Sequence, residues 1–175
     1  MAKLRKFVCY REHDRPYTRK SKYRKKDYVR ASPNCKIVKF VLGNKTGSFN
    51  TRFDLVSKDK IQIRDNALEA ARQTAVRFLE KKLGKSGFRL TIRVYPHQVL
   101  REHALAAGAG ADRFSSGMAH SFGKPVGIAA RVKKEQQIAT LLVNSDQTDT
   151  ARKALIRAKN KLPCQCRITK RTIPG

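Results

Sequence analysis

The segment from residue 88 to residue 95 alternates strictly between apolar and polar or aromatic side chains. Its apolar members are Phe88, Leu90, Ile92 and Val94, and the residues between them are Arg89, Thr91, Arg93 and Tyr95. Successive side chains of a β-strand point to opposite faces of the sheet, so this alternation predicts a half-buried strand. The buried face is apolar and the other is cationic and aromatic, which leaves a basic surface for a polyanionic partner.

Two other segments have the three- and four-residue spacing of apolar side chains that indicates amphipathic helices. The first is 65–83, where Asn66 and Glu69 fit a capping box and Gly84 fits a helix stop. The second is 151–162, with apolar residues on one face and Arg and Lys on the other. We expect a helix at each segment.

Further short strands are predicted by β-branched and alternating runs bounded by turn residues. They are expected at 36–42, 53–56, 61–63 and 164–169, with a strand pair at 126–132 and 137–143. Strands and two helices with short connections predict an α+β fold, a two-layer sandwich in which the helices cover one face of a mixed or mostly antiparallel sheet. The basic outer faces would then be open to a partner.

The chain carries a large excess of positive charge. Its 175 residues include 40 Lys or Arg against 13 Asp or Glu, a formal net charge of +27. Self-repulsion of this size destabilises an isolated domain, so a polyanion is expected as partner, and nucleic acid fits best because cations occur in almost every segment. A basic surface without a partner is the alternative. No segment approaches the roughly 18 apolar residues of a membrane span.

The cellular compartment follows from what the sequence lacks. No apolar stretch follows the basic start, as a secretory signal would require. Four cysteines without such a signal are expected to be reduced thiols of a cytosolic protein rather than a disulfide framework. We therefore expect a cytoplasmic protein that does not contact a membrane.

The first 34 residues form a segment of Arg, Lys and Tyr with almost no aliphatic side chains. Such a segment cannot bury enough apolar surface to fold alone. We therefore divide the chain into a basic RNA-binding extension, 1–34, and a sandwich domain, 35–175. In the extension, cations would contact phosphates and tyrosines would stack on unpaired bases; the alternative is a solubilising tail. The candidates are Arg11, Arg19, Arg24 and Lys25 for phosphate, and Tyr10, Tyr17 and Tyr23 for stacking.

A long connection, 97–125, contains little aliphatic bulk. Loops of this length inside a compact domain are usually functional or disordered. Its glycines allow close approach of the backbone to a partner, and its cations add charge; the alternative is a mobile surface loop without a task. The glycines are Gly108, Gly110, Gly117 and Gly123, and the candidate RNA contacts here are Arg101, Arg113 and Lys124. In the rest of the sandwich domain the candidates are Arg89, Arg93 and Arg131.

No motif points to an active site or a bound metal. Segment 117–123 lacks the Gly-Lys-Ser/Thr of a phosphate-binding loop. One residue separates Cys164 from Cys166, whereas zinc sites use two to four. A four-thiolate site with Cys9 and Cys35 is the alternative to ordinary reduced thiols. We expect no catalytic residue, no metal site and no cofactor.

Several motifs in combination resemble a known family. In and after the long connection they are Gly-Ala-Asp-Arg at 110–113, Gly-Met at 117–118, Phe-Gly-Lys-Pro at 122–125, Gly127 and Ala-Arg-Val at 130–132. Elsewhere they are Cys-Tyr-Arg at 9–11, Pro-Tyr at 16–17, Leu-Glu-Ala-Ala-Arg at 68–72 and the strand region 87–96. Together they resemble the large-subunit ribosomal proteins numbered sixteen in the universal scheme, in their archaeal and eukaryotic branch. The length is more similar to archaeal members.

The resemblance implies a structural protein of the large ribosomal subunit and not an enzyme. It implies an α+β sandwich that binds large-subunit rRNA near the base of the central protuberance, beside neighbouring ribosomal proteins. The long loop of the family reaches toward the peptidyl-transferase region, with A-site and P-site tRNA as further candidate partners. The alternative from another class is a transient RNA- or tRNA-binding factor of ribosome assembly, which composition does not distinguish from a resident protein.

Overall fold

The structure, a computed structural model, describes residues 5–13, 23–26, 32–102 and 124–173. Within these ranges the chain forms eight strands and two α-helices. The strands are β1 (Val41–Gly43), β2 (Thr51–Ser57), β3 (Ile61–Arg64), β4 (Phe88–Ile92), β5 (Gln98–Glu102), β6 (Lys124–Val132), β7 (Gln137–Val143) and β8 (Cys166–Thr172). The helices are α1 (Asp65–Leu83) and α2 (Thr148–Lys159), and short 3-10 turns occur at Phe7–Tyr10, Arg24–Lys26 and Ser145–Gln147.

The strands form two antiparallel sheets, which confirms the α+β class. The larger sheet has the order β1-β4-β7-β2-β8 and the smaller has the order β3-β6-β5. The strands expected at 126–132 and 137–143 are found as β6 and β7, but their expected pairing with each other is wrong, because they lie in different sheets. Ser57 at the end of β2 exchanges backbone hydrogen bonds with Glu135 and Gln136, which directs the chain after β6 toward β2. Glu135 takes the left-handed conformation this turn requires, with φ 61°.

The main core lies between the helices and one face of the five-stranded sheet. The register aligns Phe88 with Val143 and Leu90 with Leu141, and all four side chains are buried. The alternation predicted for 88–95 is confirmed, although β4 itself ends at Ile92. Ile61, Ile63, Ala130 and Val132 add one face of the three-stranded sheet to the same cluster. Burial of this apolar surface is the dominant stabilising term.

Helix α1 has the predicted bounds, but its amino terminus is not a capping box. The Asp65 carboxylate accepts hydrogen bonds from the backbone N–H groups of Asn66, at 2.8 Å, and Lys36, at 3.0 Å. Glu69 instead pairs with Arg72 one turn later. A carboxylate in the first turn satisfies otherwise unpaired N–H groups and favours the helix dipole. Gly84 stops the helix as predicted, with φ 71°.

Helix α2 begins and ends three residues before the predicted range of 151–162. After Lys159 the backbone tightens, with N–H groups of Lys161 and Leu162 donating to carbonyls three residues earlier. Leu162 is buried in this turn, so its apolar side chain continues the spacing of the helix in the sequence although the α-helix itself has ended. The predicted closing strand 164–169 is found as β8, shifted by two to three residues.

Two other expected segments are shorter in the structure. Of 36–42, only its last two residues are in β1, because the backbone at Lys36 is held by Asp65 and the side chains of 37–40 do not alternate. The long connection 97–125 also shortens, since β5 occupies 98–102 and β6 begins at Lys124. Strands β5 and β6 are antiparallel neighbours, so 103–123 joins two paired strands and lies outside the described residues.

Candidate nucleic-acid interface

The face of the five-stranded sheet opposite the helices carries five arginines, of which Arg167 on β8 pairs with the Glu135 carboxylate. In the register Arg89 on β4 lies opposite Leu142 on β7, Leu142 lies opposite Arg52 on β2, and Arg52 lies opposite Arg171 on β8. Arg93 follows β4 on the same face, and its side chain is exposed. We call this surface, defined by Arg52, Arg89, Arg93 and Arg171, the arginine face.

The arginine face contains one carboxylate, Asp54 on β2, which is completely buried (0 % exposed). Its oxygens accept hydrogen bonds from Arg52 Nε, at 2.9 and 3.0 Å, and from the Thr140 hydroxyl at 2.7 Å. The Thr140 hydroxyl in turn accepts a hydrogen bond from Arg93 Nε at 3.1 Å. Gln137 completes the group by accepting from Arg52 Nη2 at 3.1 Å.

Arg89, Arg93 and Arg171 form no salt bridge with a described residue. Arg89 instead donates to the backbone carbonyl of Lys45 at 3.1 Å. Three arginines without a salt-bridge partner, beside a buried and paired carboxylate, give the face a positive potential that favours contact with phosphate.

The amino-terminal segment 5–13 packs on the outer face of the three-stranded sheet. Tyr10 is buried (8 % exposed) in a small cluster with Leu100, Ala129 and Val126. Its hydroxyl donates to Glu102 at 3.4 Å, and burial together with this carboxylate raises the pKa of Tyr10. The ring is therefore part of the packing and not accessible to a base, contrary to the stacking role expected for Tyr10.

Polar contacts fix the same segment to both edges of the sheet. Arg5 Nε donates to the Glu102 carboxylate at 2.7 Å, and Arg64 donates to the backbone carbonyl of Arg5 at 3.1 Å. The backbone N–H of Gln62, on the edge strand β3, donates to the Arg11 carbonyl at 3.0 Å. This pairing satisfies a strand edge that would otherwise be open.

The structure places the other candidates from the extension as follows. Arg11 is exposed, with its guanidinium 6.0 Å from the centre of the Phe7 ring. Tyr23 (60 % exposed) immediately precedes the short turn that holds Arg24 and Lys25, both exposed. Tyr17 and Arg19 lie outside the described residues. Arg24, Lys25 and Tyr23 therefore form one small exposed group.

Three candidates lie on the three-stranded sheet. Arg131 on β6 is exposed and faces outward opposite Gln62. Lys124 begins β6 and lies opposite Glu102, while Arg101 on β5 is half-buried. Arg101 and Lys124 thus stand where the chain enters and leaves 103–123. The candidates within that stretch lie outside the described residues: Arg113, Gly108, Gly110, Gly117 and Gly123.

Sequence reasoning did not select Arg52, Arg171 or Tyr95 as candidate site residues. Residues 52–55 alternate between charged and apolar side chains, so Arg52 had a local signal, but its place beside Arg171 depends on strand order. Tyr95 (49 % exposed) stacks on Phe40, with ring centres 5.2 Å apart, and lies 4.6 Å from the His97 ring. Exposed stacked rings beside cations are typical of surfaces that contact nucleic acid bases.

The cysteines do not form the four-thiolate site considered as an alternative. Cys164 and Cys166 Sγ atoms lie 3.4 Å apart at the start of β8, whereas Cys35 packs against Val99 and Ile128 of the other sheet, and Cys9 is exposed. Within the described ranges no group of three or more side chains is arranged to hold a metal ion. Nor does either helix there have the length and apolar character needed to cross a membrane.

Fold and surface together define a class: a small basic α+β sandwich whose exposed sheet face and attached amino-terminal segment suit a polyanion. Comparison with known proteins gives the family. The model of the family "Ribosomal protein L16p/L10e" matches residues 18–169, and the chain belongs to this family. This confirms the resemblance seen in the sequence motifs, and it identifies a structural ribosomal protein rather than an enzyme.

Archaeal relatives agree over almost the whole length. A protein of Methanococcus aeolicus named "Large ribosomal subunit protein uL16" is 50 % identical over 166 residues, covering 94 % of this chain and 92 % of the relative. Proteins of the same name from Methanococcus maripaludis and Archaeoglobus fulgidus are 47 % and 43 % identical, covering 94 % and 91 % of this chain and 92 % and 88 % of the relatives. The expected location, on ribosomes in the cytoplasm, is confirmed by this membership.

Proposed function

We propose that this chain is a structural constituent of the large ribosomal subunit that binds large-subunit rRNA. The arginine face carries the proposal, since three of its arginines have no carboxylate partner among the described residues. Arginine forks bind phosphate oxygens without reading base sequence, and RNA is recognised mainly by shape and by its backbone. The names of the relatives support the large subunit as the site of assembly.

The division into an extension, 1–34, and a sandwich domain, 35–175, is part of this proposal. Residues 5–13 anchor the extension to β3 and β5, while Tyr23, Arg24 and Lys25 are exposed for contact with rRNA. Tight anchoring of one part and exposure of another support an extension that contributes contacts on binding.

The segment between β5 and β6 is proposed to approach the peptidyl-transferase and tRNA region. This part rests on the family motifs in 110–125 and on the place of Arg101 and Lys124 at the two ends of the segment. A photo-crosslinking residue at position 113 in reconstituted subunits should crosslink to rRNA or to bound tRNA. Crosslinks confined to ribosomal proteins would contradict this direction of the loop.

The function is tested by sedimentation of lysate through a sucrose gradient in high-salt buffer. A resident protein should be present about once per large subunit after the wash. Sub-stoichiometric protein, or protein at the top of the gradient, would favour the transient assembly factor instead. Binding of the purified chain to isolated large-subunit rRNA should also weaken steeply with salt, because several phosphates are neutralised at once.

A further inference from the structure

We propose that the arginine face is a pre-organised binding surface for rRNA phosphates, on which buried Asp54 fixes Arg52 directly and fixes Arg93 through the Thr140 hydroxyl. The proposal rests on the rRNA-binding function and assigns it to one surface. It differs from binding by net charge alone, because it requires particular side chains to be held in place before RNA arrives.

The burial of Asp54 is the first observation that supports this role. A buried carboxylate is costly unless it is paired and hydrogen-bonded, and Asp54 meets that condition through Arg52 and Thr140. An exposed carboxylate at this position would repel phosphate. Because the Asp54 carboxylate is fully buried, its charge attracts the Arg52 guanidinium and is not exposed to phosphate.

Thr140 extends the effect of the carboxylate across the sheet. Its hydroxyl has one proton, which it donates to Asp54, so its lone pairs remain to accept from Arg93 Nε. The network therefore links β2, β7 and the end of β4. In both arginines Nε is engaged by the protein, which leaves terminal guanidinium nitrogens of Arg93 on the exposed side.

Ordering arginines in advance favours binding for an entropic reason. A long side chain loses rotamer freedom when it is fixed on a ligand, and a side chain already held in place loses less. Guanidinium groups oriented by a second set of hydrogen bonds also keep the fork geometry that matches phosphate. Arg52 and Arg93 satisfy both conditions, whereas no hydrogen bond to a described residue orients the exposed guanidinium groups of Arg77 and Arg152 on the helices.

The spacing and charge of the arginine face fit the phosphates of an RNA backbone. Neighbouring strands are spaced by about 4.8 Å, so Arg89, Arg52 and Arg171, which span four strands, extend over about 14 Å. That length is sufficient for more than one phosphate of a nucleic acid backbone. Leu142 and Thr140 lie between the arginines on this face, and the net charge of +27 provides the complementary field.

The first test compares the sheet with the helices at equal charge. R89Q/R171Q removes two cations from the arginine face, and R77Q/R152Q removes two exposed cations from α1 and α2. We expect R89Q/R171Q to weaken binding of the full chain to isolated large-subunit rRNA at least tenfold. The slope of the logarithm of the binding constant against the logarithm of the salt concentration should fall by about one to two, because fewer counterions are released. The helix variant should weaken binding less than threefold.

The second test separates the effect of fixing the arginine side chains from the effect of net charge. Thr140→Val leaves the net charge unchanged but removes the link to Arg93, so we expect binding to rRNA to weaken three- to tenfold. Thr140→Ser retains the hydroxyl and should restore binding. Asp54→Asn removes a negative charge yet releases Arg52, and we expect weaker binding. Circular dichroism melts of each variant establish that the protein measured is folded.

Three results would overturn the inference. They are equal losses in the sheet and helix variants, wild-type binding by folded Thr140→Val, and tighter binding by folded Asp54→Asn. Each would mean that charge alone governs affinity, and each would leave the rRNA-binding function intact. Failure of the wild-type chain to bind large-subunit rRNA would instead contradict the proposed function.

Discussion

The side-chain amide of Gln62 donates a hydrogen bond to the backbone carbonyl of Tyr10 at 3.2 Å, across 52 positions of sequence. The same amide donates to the carbonyl of Glu12. Gln62 is buried on β3, so these bonds form where water has little access. One side chain on the sheet therefore fixes the course of the amino-terminal segment over it.

Replacing Gln62 with Met should loosen that segment. The change keeps the size of the side chain but leaves two backbone carbonyls without their donor, and we expect a loss of about 1–2 kcal/mol in the free energy of unfolding. Limited proteolysis should cut within residues 5–13 earlier than in the wild type. Gln165→Met, at an exposed position before β8, is the control and should change neither measurement. Equal cleavage in all three proteins would show that the amide does not hold the segment.

Tyr10 should make stability depend on pH in the alkaline range. Burial raises its pKa above the ordinary value of 10.0, and the nearby Glu102 acts in the same direction. The protonated phenol is thus favoured by folding, so its contribution is present in full below about pH 10 and is lost as pH rises through the folded pKa. The difference in unfolding free energy between the wild type and Tyr10→Phe should shrink above pH 10. A difference that stays constant up to pH 12 would contradict the raised pKa.

The sequence predicted the elements whose signals are local. Helix α1 was placed at its observed bounds because periodicity and Gly84 agreed, and 88–95 alternated without interruption. Division of the strands into two sheets was not predicted, since it depends on hydrogen bonds between Ser57 and residues almost 80 positions away. The buried place of Tyr10 was missed for the same reason: its partners Leu100 and Ala129 are distant in sequence.

The candidate site was predictable in chemistry but not in position. An excess of cations and the alternation around Arg89 and Arg93 indicated a basic sheet face. The carboxylate that organises this face could not be selected from the sequence, because Asp54 and Thr140 are 86 residues apart and meet only through the pairing of β2 with β7. Interactions of this kind require the strand order to be known.

Gly43 should tolerate no side chain. Its φ of 83° lies in the left-handed region, and a Cβ added there would be 2.1 Å from the backbone carbonyl oxygen of Phe88. We expect Gly43→Ala to destabilise the protein by more than about 2 kcal/mol, because strain and a backbone clash act together. Gly84, at φ 71° with open space around it, is the matched control and should cost about 1 kcal/mol on change to Ala. Thermal melts of both variants measure the contrast, and equal losses would show that the clash is relieved.

Cys164 should be the more reactive member of the thiol pair. A hydrogen bond from Cys166 lowers the pKa of Cys164, whereas the pKa of Cys166 is raised by the same contact and by burial. The thiolate is the nucleophile, so alkylation of Cys164 by iodoacetamide should begin at lower pH than that of Cys35, whose pKa burial raises. Mass spectrometry of peptides after timed alkylation measures each site. Cys166→Ala removes the donor and should shift the alkylation profile of Cys164 to higher pH, while an unchanged profile would show that Cys166 does not stabilise the thiolate.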